Sequence, residues 1–407
     1  MTTSRMRPIR HTIALDEARR RLDEAVVPIE RTERVALADA GGRVAARDVP
    51  SPRDVPPFDR AAMDGYAVIA ADTFDASRSN PKRLLCLETV YTGDLPSIRL
   101  THGHCIEIAT GAPLPAGADA VVMVEETEKD EAGTVEIFSA VHPGQHIGRQ
   151  AADLALGQTV VARGDHLNPG RVGALAAVGL ADVEVFARPR VAILSTGNEL
   201  VDPGQPLPPG RIYDVNRFTL AAIIGDHGGV PVPFRTAQDT LEALHVALNA
   251  CLAEDIVVFS GGSSVGERDL ILDAVAASGE IVFHGIAVKP GKPTIFGRIA
   301  GKPVFGMPGY PTSCLSNGYA LLVPFLRRLA RLPPYRPAIV RAPLARRIVS
   351  TTGRHQFYTV RLVHGQAEPA FKASGDITSM SRADGYIEIS AQVEIVEKGE
   401  LVDVSLF

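Results

Sequence analysis

Several short segments of the chain end an apolar run in a turn built of glycine and polar residues. VAILSTGNEL closes on Ser195, Thr196 and Gly197 and then offers Glu199. IVVFSGGSSVGERD closes on Ser260, Gly261 and Gly262 and then offers Glu267 and Asp269. IAVKPGKPTIFG sets Lys289 and Lys292 around a glycine in a proline-stiffened turn, and FGMPGYPTSCL opens a helical pattern through Pro308, Gly309 and Pro311. Backbone N–H groups in such turns point at anions. Lysines add positive charge, and carboxylates can hold Mg²⁺, which bridges to phosphate oxygens. If the turns share one rim, they spell a metal–phosphate site. Gly261 and Gly266 have the spacing of a Walker A loop, but Glu267 stands where that loop requires lysine, which excludes the motif. Each feature also has a plain structural reading. The glycines suit tight loops, the lysines suit a solvated surface, and Glu199 and Asp269 suit helix N-termini.

Two further segments lie earlier. PPFDRAAMDGYAV carries Asp59, Arg60 and Asp64 in a loop flanked by prolines and apolar residues, and IATGAPLPAGADAVVMVE places Thr110 and Gly111 directly after a strand pattern. A rigid loop with an Asp and an Arg suits oxyanion or metal handling. The alternative is an internal ion pair or an Asx-turn.

The elements that must position these groups follow from periodicity. ALDEARRRLDEAV puts Leu15, Ala18, Leu22 and Ala25 on one helical face. A second helix is expected over VALADAGGRVAARDV, weakened by Gly41 and Gly42. From Tyr66 to about Val161, short strand patterns alternate with Gly, Pro and Asp clusters, as in a small β-domain. NPGRVGALAAVGL predicts a helix with Asn168 as N-cap, Pro169 at its first position and Gly179 past its end. Strands then alternate with helical patterns from about Phe186 to Arg331, which predicts a mostly parallel sheet covered on both faces. Ligands of such sheets sit beyond the carboxyl ends of the strands. After the proline-rich LPPYRP the chain turns strand-like again to its end.

Bulk properties exclude other classes. The 407 residues are 45% hydrophobic and 22% charged, an ordinary globular composition. A net charge of −5 with no basic block excludes a chain whose main task is gripping nucleic acid. Cys86, Cys105, Cys251 and Cys314 fit no zinc or CxxC spacing and are expected as buried thiols. The beginning is polar, with no apolar run of signal-peptide length, and no segment is apolar for long enough to span a bilayer, so a cytoplasmic protein without membrane contact is expected.

Taken together, PPFDRAAMDGYAV, IATGAPLPAGADAVVMVEE, STGNEL, SGGSSVGERD, KPGKP, MPGYPTS and SGDITSMSRADGYIEI resemble, in order, the signatures of the molybdopterin molybdenumtransferases, the MoeA and gephyrin E-domain family. The resemblance implies a multidomain α/β plus β fold: a helical part at 1–50 and 140–185, an inserted β-domain at 51–139, a three-layer molybdopterin-binding α/β domain at 186–331 and a C-terminal β-barrel at 332–407. It implies an elongated homodimer with the active site between subunits. It also implies an upstream molybdopterin adenylyltransferase and downstream molybdoenzymes or their chaperones as partners. The implied reaction is Mg²⁺-dependent hydrolysis of adenylylated molybdopterin with insertion of molybdate into the dithiolene, releasing AMP. A tungstate-using transferase and a non-catalytic molybdopterin-binding scaffold are the alternatives. Carried onto this sequence, the family pattern puts Asp59 and Thr110 near molybdate, Asp239 in the active site, Glu199 and Asp269 on the metal, and Lys289 and Lys292 against phosphate and molybdate. Ser195, Gly197, Ser260, Gly261 and Gly262 face the substrate, and Pro308 and Pro311 shape the wall. In GQHIGRQAAD, Gly148 stands where the family usually has arginine, while Arg149 follows it and Asp153 is kept; both are assigned to substrate binding.

Overall fold

Within the strand Arg190–Ser195, Val191 and Ile193 face one hydrophobic core and Ala192 and Leu194 face another. Ile256–Ser260 repeats the pattern, with Ile256 and Val258 on the first side and Val257 and Phe259 on the second. Strands apolar on both faces must be sandwiched between layers. The computed structural model, which describes residues 9, 11–237, 240–261 and 270–407, has that three-layer arrangement. Helices Leu15–Ala25, Asn216–Asp226 and Val323–Leu329 cover the first face, and Leu241–Cys251 and Leu270–Ser278 cover the second.

The sheet runs Val230–Pro233, Arg190–Ser195, Ile256–Ser260, Lys302–Met307, Ile295–Ile299, Glu280–His284. The first four strands are parallel. Ile295–Ile299 is antiparallel to Lys302–Met307 and to Glu280–His284. This reversal matters for the site, because it returns the chain between His284 and Ile295 to the end of the sheet where the parallel strands finish.

By contact density the chain divides into two compact units. One comprises residues 1–33, 42–44 and 185–407, and so holds the first helix, the α/β layers and the C-terminal strands. In its C-terminal part the order is Val288–Lys289, His355–Val363, Gly385–Ile389, Leu401–Leu406, Ile339–Pro343, with Gln366–Pro369 beside His355–Val363. The other unit, residues 34–41 and 45–184, is built on a six-stranded sheet ordered Ala120–Met123, Gly65–Val68, His104–Ile108, Lys82–Val90, Thr134–Ile137, Thr127–Lys129. Its two faces carry separate cores, around Tyr66 and Val122 on one side and Ile106 and Val121 on the other.

Helix Leu15–Ala25 buries Leu15, Ala18, Leu22 and Ala25, as its spacing predicts. The helix expected over VALADAGGRVAARDV is not formed. Thr32–Ala36 is a strand and Leu37–Asp39 a single 3-10 turn, and Gly42 then takes φ +75°, a left-handed conformation that ends any helix. The segment PTSCLSNGYALLVPFLRRLARL is also not one regular helix. Pro311–Asn317 passes through a π-helical turn, Gly318–Leu322, into Val323–Leu329. Pro324 has no N–H and its ring crowds the preceding turn, and local widening accommodates it. Among the described residues no helix is long and apolar enough to cross a membrane.

Helix Pro169–Ala177 carries the expected cap: Asn168 Oδ1 accepts from Arg171 N at 2.9 Å, and Gly179 follows at φ +81°. Asn168→Ala is expected to cost about 1 kcal/mol of stability. Urea unfolding of the purified chain measures it, and an unchanged midpoint would remove the cap from the account.

Candidate functional site: the rim of the parallel sheet

Strand register decides which turns meet. Ser195 lies opposite Ser260, and Ser260 lies opposite Met307. Ile295 lies opposite Gly306, so Thr294, the end of the lysine turn, is level with Met307. The turns after Ser195, Ser260 and Met307 and the turn before Ile295 therefore share one rim. Thr196 N donates to Ser260 O at 2.9 Å, fastening the first two together.

Glycine is required where these turns touch. Gly261 has φ +104°, and a Cβ there would stand 2.2 Å from Thr196 O. Gly309 packs on Gly261, with only 3.5 Å between the Cα of Gly261 and any Cβ added at Gly309. The carbonyl of Gly309 accepts from Asn216 Nδ2 at 2.8 Å. At Gly197, φ is +147° and a Cβ would meet Glu199 Oε2 at 2.6 Å, so the exposed Glu199 carboxylate is folded back over that glycine.

Several buried polar groups at this rim have no hydrogen-bond partner among the described residues. Ser195 and Thr196 are each 1% exposed, yet neither hydroxyl has a hydrogen-bond partner among the described residues. Asn216 Oδ1 and Asp214 Oδ2 are in the same condition, although Asp214 Oδ2 lies 3.6 Å from Arg217 Nε. Each such group costs about 1–3 kcal/mol unless something completes it. Four of them lie at this end of the sheet, and a polar ligand there would complete them. Asp214 and Asn216 were not among the residues singled out from sequence. Their signal was present in IYDVNRF, where polar residues sit at the switch from the short strand Ile212–Tyr213 to the helix Asn216–Asp226.

The lysine turn is held from behind. Gly291 has φ +105°, and a Cβ there would lie 2.4 Å from Asn317 Nδ2. Asn317, fully buried, donates to Gly291 O at 2.8 Å and to Thr294 Oγ1 at 2.6 Å. Lys289 Nζ donates to Thr351 Oγ1 at 2.7 Å and Lys292 Nζ to Ile9 O at 2.8 Å; both side chains are half-buried. Neither lysine is a free surface group. Pro308 ends the Met307 strand and Pro311 starts the following helix. Asp239, Gly262 and Asp269 lie outside the described residues.

In the other unit, three segments distant in sequence converge. Arg60 pairs with Gly148 and Ala61 with Ile147, while Arg60 also bridges to Pro113. Asp59 accepts from Arg149 Nη1 at 2.7 Å and from Gln150 N at 2.8 Å. The Gln150 amide, helped by the Arg149 guanidinium, holds this carboxyl below the usual aspartate range against the opposing effect of burial. Its ion-pair partner is thus Arg149 and not the adjacent Arg60. A Cβ at Gly148 would meet Arg60 Cγ at 3.3 Å, so the side chain of Arg60 crosses the space that Gly148 leaves. Thr110 donates from both N and Oγ1 to Asp64 Oδ1, at 2.7 and 2.9 Å. These bonds keep the Asp64 carboxyl below its usual range. Asp153 is exposed, and its N–H donates to Val55 O at 3.0 Å.

For a divalent metal, the donors present at the rim are oxygens: the Glu199 carboxylate and the unsatisfied Ser195 and Thr196 hydroxyls. Oxygen-only donors with few carboxylates fit Mg²⁺, which retains waters and shares its shell with phosphate. Among the described residues no group of three or more His, Cys, Asp and Glu could hold a metal alone.

The carboxyl rim of the three-layer sheet thus carries glycine turns, tethered lysines and hydroxyls without partners among the described residues, in an α/β protein whose chain also forms two β-rich parts. Residues 13–179 match the family described as MoeA N-terminal region (domain I and II), 192–328 the probable molybdopterin binding domain, and 341–407 the MoeA C-terminal region (domain IV). The chain is 37% identical over 382 residues to molybdopterin molybdenumtransferase 2 of Mycobacterium tuberculosis, covering 91% of this chain and 94% of that one. It is 32% identical over 404 residues to the molybdopterin molybdenumtransferase of Haemophilus influenzae, covering 97% and 98%. The crystal structure of the molybdopterin biosynthesis moea protein from Pyrococcus horikosii superposes with a TM-score of 0.84 at 41% identity, covering 97% of this chain and 99% of that one. The chain belongs to the molybdopterin molybdenumtransferase (MoeA) family, a family of transferases.

Proposed function

We propose that the chain is a molybdenum insertase of molybdenum cofactor biosynthesis, acting on adenylylated molybdopterin and molybdate and releasing AMP. The observation that carries this reading is the pair of buried hydroxyls, Ser195 and Thr196, without partners among the described residues, beside glycine turns and lysines on one rim. Backbone amides of the Ser260–Gly261 turn and the Ser195 and Thr196 hydroxyls bind and orient the phosphate. Lys289 and Lys292 offset the charge of two anions brought together, with Pro308 and Pro311 as the wall. Glu199 and Asp269 would hold Mg²⁺, which when bound polarises phosphate oxygens, and Asp239 would serve as a further active-site carboxylate. Asp59 and Thr110 orient molybdate, with Arg149 and Asp153 as supporting groups, and Arg149 supplies the cation that Gly148 cannot. In this proposal the working form is a cytoplasmic homodimer with a site shared between subunits. It receives substrate from an adenylyltransferase and passes product to molybdoenzymes or their chaperones.

The proposal includes division into parts at 1–50 with 140–185, 51–139, 186–331 and 332–407, the last a closed barrel. Barrel closure is supported by the bridge from Leu344 to Ala367 and by Ala345 N donating to Ala367 O at 2.9 Å, which join the ends of the sheet.

The test mixes the protein with adenylylated molybdopterin, Mg²⁺ and molybdate and follows AMP. Molybdate-dependent release that stops on chelation is expected. Asp269→Asn should reduce it by at least about 10²-fold while leaving the oligomer folded. Tight binding without turnover would favour the scaffold reading, which the Gly148 departure motivates. A competition between molybdate and tungstate decides the oxyanion.

A further inference from the structure

The turn between Pro308 and Pro311 carries an aromatic ring that the anion chemistry of the rim does not use. Tyr310 is 66% exposed, although it sits between the glycine and proline that shape the turn. It follows Gly309 directly, and Gly309 is fixed by its packing on Gly261 and by the bond from Asn216. Its backbone sits at φ −70° and ψ 130°, locked between a bonded glycine and the proline that starts the next helix.

One edge of the ring lies beside the loop at Gly375, where an added Cβ would stand 3.6 Å from Tyr310 Cδ1 and 3.8 Å from Cε1. That loop is itself fastened, because Thr312 N donates to Ser374 O at 3.2 Å and Thr312 Oγ1 to Asp376 O at 3.1 Å. The ring therefore has a fastened loop beside one edge and stays largely exposed. A pre-positioned aromatic loses little entropy when it binds, and a planar heteroaromatic ring is the natural cover for its open face.

We propose that Tyr310 is a positioning residue: a stacking platform for a planar heteroaromatic ring of the substrate, while the adjacent glycine turns hold the phosphate. This rests on the insertase reading. Two rings of adenylylated molybdopterin have the required chemistry, the pterin and the adenine. Stacking on an aromatic tolerates either, since both present a π-face, and its loss typically weakens binding on the order of 10- to 100-fold.

The chain contains no tryptophan, so Tyr310→Trp installs a single indole at the turn. Its emission is titrated with AMP, with a 6-substituted pterin and with adenylylated molybdopterin, and Tyr91→Trp, at a site 64% exposed in the other unit, controls for absorption by the ligands. Saturable quenching specific to Tyr310→Trp is expected with the full substrate, and whichever of AMP or the pterin reproduces it identifies the ring. In calorimetry and kinetics, Tyr310→Ala should weaken substrate binding and raise KM about 10- to 100-fold with kcat kept. Tyr310→Phe should retain the wild-type values, because the platform uses the ring and not the hydroxyl. Wild-type affinity in Tyr310→Ala, or an indole unquenched at saturation, overturns the platform and leaves the insertase reading standing. Failure of the unsubstituted chain to bind adenylylated molybdopterin overturns both.

Discussion

Lys292→Ala is expected to lower molybdate-dependent AMP release by about 10²- to 10³-fold, equivalent to about 2.7–4 kcal/mol of transition-state stabilisation. Lys289→Ala should fall in the same range. The physical reason is charge. The proposed reaction brings an oxyanion against a phosphate, and each half-buried ammonium acts where water screens it poorly. Both ammonium groups already donate to the protein, to Thr351 Oγ1 and to Ile9 O, which fixes them before substrate arrives. Those same bonds supply the competing explanation, that the lysines are tethers. The two roles separate cleanly. A tether mutant melts earlier at unchanged turnover per folded molecule, whereas a charge mutant keeps its melting temperature and loses turnover. Lys292→Arg distinguishes further, since it keeps the charge but not the ammonium's compact shape.

Gly261→Ala should be among the most damaging single-methyl changes in the chain, on the order of 3 kcal/mol or more. Two costs add. The backbone at φ +104° is poorly tolerated by any residue with a side chain, and the new methyl would sit 2.2 Å from the carbonyl oxygen of Thr196. That oxygen belongs to backbone fastened to the Ser260 strand, so it cannot retreat without opening the rim. Gly210→Ala is the matched control. Its φ is +76°, but nothing lies within 4 Å of the added carbon, so only the backbone term of about 1 kcal/mol remains. Urea unfolding of both variants measures the contrast. Equal losses would mean that the contact with Thr196 relaxes freely.

What sequence could reveal depended on the range of the interaction. Helix Leu15–Ala25 was legible because its burial repeats along a single segment, and Asn168 because a cap acts within three residues. The same logic misread the segment around Gly41, where a few apolar residues at helical spacing were outweighed by the left-handed glycine and by strand pairing. Strand Ile295–Ile299 is hard to read from sequence because Gly297 and Arg298 interrupt its apolar run. The glycine turns themselves were visible, but their common level on the rim follows only from register between strands far apart in sequence. Asp59 shows the limit most clearly. A neighbouring arginine was in view at position 60, and the partner it pairs with lies 90 residues on.

The short strand Val288–Lys289 belongs to the C-terminal sheet, paired with His355 and Gln356, yet it leads straight into the turn that Asn317 pins to the α/β layers. One peptide segment is thus a hem sewn to two fabrics. The C-terminal sheet is then no detachable appendage: cutting it away would remove the seam that sets where Lys289 stands. Sequence changes that retune the sheet's packing, far from any ligand, would be felt at the lysine.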